Sequence, residues 1–81
     1  MGTYTFVHTK CLAGELDTMG VEVKGGLRKA EAEGCFRATV IDLMEELYNN
    51  ELLNGKVCIH KYKALVLIGG VHHVVAVVKE G

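Results

Sequence analysis

Cysteine and histidine are the side chains of this chain best suited to chemistry near neutral pH. Cys58-Ile59-His60 puts a thiol and an imidazole two residues apart, so on a strand both project from one face and the imidazole could serve as a base. No oxyanion-stabilising feature accompanies them, and free cysteine is among the most buried residue types, so packing is the simpler role. His72 and His73 are adjacent, which on a strand sends them to opposite faces and keeps them from chelating one metal ion. Cys11, Cys35 and Cys58 are widely spaced with no CxxC pair, which suggests neither a disulfide framework nor a zinc knuckle. The reading therefore assigns no catalytic residue, no metal and no cofactor.

One grouping runs against a local rule. Gly25-Gly26-Leu27-Arg28-Lys29 places two cations where a helix is expected to begin, although the helix dipole disfavours positive charge there by about 0.3–1 kcal/mol. A bound anion would reverse that penalty. The glycines would let backbone amides approach it, and Arg28 could grip a phosphate or carboxylate in bidentate fashion. The spacing is not that of a P-loop. Arg37, further along the helix, can pack its stem and reach with its guanidinium. The expected ligand site is Gly25, Gly26, Arg28, Arg37, His72 and His73, taking a small anion more tightly as pH falls through the histidine range.

Composition narrows the class. The chain of 81 residues reads as a single α+β domain, 1–81, and so small a domain buries only about 60% of the surface its unfolded chain exposes. Nine basic residues against 10 acidic give a net charge of −1, without the basic excess that phosphate backbones demand. No nucleic-acid partner is expected. The longest uncharged stretch, Ala64 to Val78, falls short of the ~20 residues of a membrane helix, and the N-terminus lacks the pattern of a signal peptide. The expectation is a cytoplasmic protein with no membrane partner. Serine is absent, which excludes a serine nucleophile, and proline, glutamine and tryptophan are absent too.

The elements that must position these residues follow from periodicity. Val57 to Lys79 reads as two β-branched runs joined by Gly69-Gly70, a hairpin in which Ile68 pairs with Val71. One face then carries Cys58, His60, Tyr62, Ala64, Val66, Ile68, Val71, His73, Val75 and Val77, and the other is also mainly apolar near the turn. Something must cover each side. Thr3 to Lys24 reads as a first hairpin turning at Ala13-Gly14, with Tyr4 facing Val23, Phe6 facing Val21, His8 facing Met19, and Lys10 facing Asp17.

Between the hairpins, Leu27 to Leu53 is rich in helix formers and ends at an Asn54-Gly55 cap. It carries two apolar stripes, Leu27-Ala30-Gly34-Arg37-Ile41-Met44-Tyr48-Leu52 and Phe36-Val40-Leu43-Leu47, where one sheet needs one. Gly34 costs a helix about 1 kcal/mol, for which close approach to a strand is a reason. The fold expected is two-layer ββαββ, a four-stranded antiparallel sheet with one long helix across one face. The helix is expected to start at the Gly69-Gly70 end, antiparallel to the strand after it.

Excess apolar surface on both layers predicts a homo-oligomer. The function read from these features is a small homo-oligomeric binding protein for an anionic small molecule or a protein partner. Two rivals stand beside it: an interaction module with no small-molecule pocket, and a small enzyme with a Cys/His site completed at a subunit interface.

Overall fold

Six elements succeed one another in residues 2–12, 19–49 and 55–80, the parts of the chain that the computed structural model describes. They are β1 (Thr3–Leu12), β2 (Met19–Leu27), α1 (Lys29–Asn49), β3 (Gly55–Ile59), β4 (Lys63–Ile68) and β5 (Val71–Glu80). The expected Ala13-Gly14 turn, the Lys10–Asp17 pair and Asn54 of the expected cap lie outside the described residues. The strands form one antiparallel sheet in the order β2-β1-β5-β4-β3, with α1 packed on one face.

The β4–β5 hairpin has the expected register. Gly69 and Gly70 take φ of 54° and 84°, the left-handed values that a tight hairpin turn asks of both central residues. Ile68 pairs with Val71, Val66 with His73 and Ala64 with Val75.

The strand before it is not continuous. The sheet has five strands rather than four, because the chain reverses at Lys61-Tyr62 and β3 folds back on β4, pairing Gly55 with Ile68 and Ile59 with Ala64. The His60 amide donates to the Lys63 carbonyl at 2.8 Å and closes that loop. No glycine, proline, asparagine or aspartate marks it, and no non-glycine residue in the described chain has positive φ. The reversal turns Cys58 to the face opposite Val66, paired with Leu65. It also inverts the helix: β3 starts beside Ile68, so α1 ends near the Gly69-Gly70 turn and begins at the other end of the sheet.

The first hairpin pairs as expected, but in another register. Tyr4 faces Leu27, Phe6 faces Lys24 and His8 faces Glu22, with irregularities between Tyr4 and Phe6 and between His8 and Thr9. The two bulges let β2 run on through Gly25-Gly26 to Leu27 instead of ending at Lys24, and Gly26 supplies the positive φ of 67° in the one opposite Tyr4–Phe6. The helix accordingly starts at Lys29, where the Glu31 carboxylate accepts from the Arg28 amide at 3.1 Å, half of a capping box.

The core joins Phe6, Val75, Val77, Ala64, Val66 and Ile68 of the sheet to Ala32, Phe36, Val40 and Leu43 of the helix. The stripe of Phe36, Val40 and Leu43 is thus the buried one. The other is split, with Leu27 and Met44 partly buried against the core, Ile41 53% and Tyr48 71% exposed, and an added Cβ at Gly34 meeting nothing. Gly55 is the glycine that packing requires, since a Cβ there would run into the Leu47 side chain and the Leu67 carbonyl.

This register makes a direct test available. Val75 is fully buried and Lys63 exposed on the opposite face, so Val75→Asp should cost on the order of 3 kcal/mol or more in denaturant unfolding, and Lys63→Thr under about 0.5 kcal/mol.

Candidate functional site

Three polar groupings stand out on this frame. The first is a corner where β1, β2 and β5 meet. The Glu80 carboxylate accepts from the Thr3 hydroxyl at 2.6 Å, from the Thr5 hydroxyl, and from the Gly26 amide at 3.3 Å. A side chain at Gly25 would press on that carboxylate, 3.3 Å from its Oε1. The glycine pair does approach an anion closely, and the anion is the chain's own. These donors hold the Glu80 carboxyl below its ordinary value, Thr3 contributing most.

The second grouping lies on the helix-covered face. His8 Nε2 and His73 Nδ1 are 2.9 Å apart and share a hydrogen bond, one ring donating and the other accepting, with ring centroids 5.2 Å apart. His8 is 8% exposed, the one buried polar side chain among the described residues. Burial lowers its pKa from 6.5, an effect Glu22 partly offsets, and burial followed by the neighbouring His8 lowers that of His73.

The third lies on the open face. Lys56, Leu67 and His72 form one cross-strand row, Lys56 and His72 both pairing with Leu67. With Cys58, Leu65, Val66 and His73 they line a half-open recess of about 240 Å³ with no carboxylate among the described lining residues. Cys58 Sγ lies 3.7 Å from His60 Nε2, so the thiol and imidazole of the sequence motif do meet, both exposed. Among the described residues no three His, Cys, Asp or Glu side chains converge as a metal site would require, and no helix is long and apolar enough to cross a membrane.

The six residues expected to bind an anion are divided among these places. Gly25 and Gly26 belong to the Glu80 corner. Arg28 borders a separate recess with Gly2, Thr3, Tyr4 and Lys29 at that same end. Arg37 is exposed on α1. His72 is on the open face and His73 under the helix, near the other end of β5, about 23 Å from Glu80 at about 3.3 Å per strand residue. The inverted helix is what separates the two groups.

The Glu80 corner and the His8–His73 pair were out of reach of the sequence reading because both cross the β1–β5 seam. Alternation does put Thr3 and Thr5 on one face and His8 on the other, which becomes informative once β5 is known to lie alongside.

Fold and groupings together define a two-layer α+β domain with one covered and one open sheet face. No protein-family model matches the sequence, and neither a curated protein nor a solved structure shows significant similarity to it.

Because the folded Glu80 carboxyl titrates below its ordinary 4.5, the stabilisation it supplies is complete above that value and is lost as pH falls through the folded one. A carbon-detected NMR titration should find the Glu80 midpoint below 4.5, and Thr5→Val should move it upward.

Proposed function

We propose that the protein is a small homo-oligomeric binding module whose open sheet face is covered by a second copy of the same chain. The observation that carries this reading is the composition of that face. Val7, Val23, Val74, Ala76, Val78, Leu65 and Leu67 lie on it, and Val23, Leu65 and Val78 are 65%, 47% and 53% exposed. Five strands at about 4.8 Å spacing, up to ten residues long, present on the order of 700 Å². A standard interface buries roughly 800 Å² per partner, so one such face is the size a stable dimer needs.

Two like-twisted sheets pack face to face with strands about 30° apart, and their inner apolar side chains interdigitate. Edge pairing is the poorer route, since β2 carries two bulges and three glycines, and β3 has only five residues.

A small anionic ligand is the second element of the reading. It rests on the recess beside Leu67, which the second copy would close over, and where Lys56 and His72 flank an apolar floor with no carboxylate among the described lining residues. A carboxylate or phosphate bearing a short apolar group suits that chemistry.

Sedimentation velocity from about 1 to 100 µM should give a dimer mass at the upper end. Leu65→Glu with Val23→Glu, at positions exposed in the protomer, should return a folded monomer by circular dichroism. A wild type that stays monomeric throughout, or a doubly substituted chain that still dimerises, would contradict the proposal.

A further inference from the structure

We infer that the hydrogen-bonded His8–His73 pair, which ties β1 to β5 on the face that α1 covers, is a pH-sensitive switch: the neutral pair is compatible with α1 packed over it, and the doubly protonated pair loosens that packing. The geometry carries the inference. One hydrogen bond joins the imidazoles at 2.9 Å, on the face that α1 covers, with Val75 fully buried beside His8 and Val66 1% exposed beside His73.

A neutral pair satisfies both facing nitrogens with one proton. A first added proton goes to an outward nitrogen and leaves the bond intact. A second must go to the accepting nitrogen, which ends the bond and sets two cations against one another in a part-buried place beside Val66 and Val75.

The surrounding charges do not rescue the doubly protonated state. Lys10 of β1, directly opposite His73, adds to the repulsion. Glu22 of β2 faces His8, but its carboxylate is already paired with Lys24 at 2.9 Å. Glu46 of α1 attracts a protonated His73, an effect smaller than the burial and the His8 charge that oppose it. Paired directly with the two histidines, Val66 of β4 and Val75 of β5 are uncharged. Both folded pKa values lie below 6.5, so the pair stabilises fully above that value and the contribution is lost as pH falls through the folded ones. Loosening α1 would bare the core face of the sheet, a regulation distinct from assembly through the open face.

Amide hydrogen exchange of α1, corrected for intrinsic rates, reads the switch directly. Helix amides between Phe36 and Leu47 should exchange severalfold faster at pH 5 than at pH 7. His73→Gln, which can hydrogen-bond His8 but does not titrate, should remove most of that difference. NMR titration of the wild-type rings should show His8 and His73 protonating below 6.5, which decides the matter should the substituted chain not fold. Ring midpoints at or above 6.5, or undiminished acid acceleration in His73→Gln, would overturn the inference.

Discussion

The pairing of β1 with β5 is the constraint on which the remainder of the structure depends. Ten residues of each strand run in unbroken register, from Thr3 opposite Glu80 to Leu12 opposite Val71. Glu80 lies 77 residues from Thr3, so the ends of the described chain must meet before the middle of the sheet exists. Closing so long a loop is slow but adds only logarithmically to its entropic cost, and the seam buries Phe6 and Val75 in return. Each such side chain stabilises by about 1.5–3 kcal/mol when fully buried.

That seam also sets the polar features. Thr3 and Thr5 reach the Glu80 carboxylate because β5 ends beside the start of β1, and His8 reaches His73 because the same register places them diagonally on the covered face. A shift of one residue along β1 would turn Phe6 to the open side and part the histidines. The chain thus has a carboxylate anchor at one end of the seam and an imidazole pair nearer the other. With one helix for two sheet faces, the side bearing Val23, Leu65 and Val78 has no cover among the described residues.

Local signals made part of this legible. Gly69-Gly70 between β-branched runs fixed the β4–β5 register, whereas of the two apolar stripes on the helix the pattern did not say that the one of Phe36, Val40 and Leu43 is buried. The β3–β4 reversal left no mark because Lys61-Tyr62 turns the chain without any residue that prefers a turn. From that one omission came the fourth rather than fifth strand, Cys58 on the wrong face, and a helix pointing the wrong way, which drew Gly25, Gly26 and Arg28 toward His72 and His73. Gly25-Gly26 does meet a carboxylate, but it is Glu80, and no local pattern relates residues so far apart in sequence. The bulges of β2 were equally hidden, because Val21 and Val23 look like partners for Phe6 and Tyr4 until the strand is allowed to slip.

The proposed dimer matches an open apolar sheet face with a second copy of itself. Intermolecular nuclear Overhauser effects in a sample mixed from labelled and unlabelled protein examine the contact at the level of single methyl groups. Such a dimer predicts cross-peaks between copies from Val23, Leu65, Leu67 and Val78, and none from Ile41 or the Tyr48 ring on the outer side of α1. Cross-peaks confined to that side of the helix, or none between copies at a concentration well above micromolar, would contradict it.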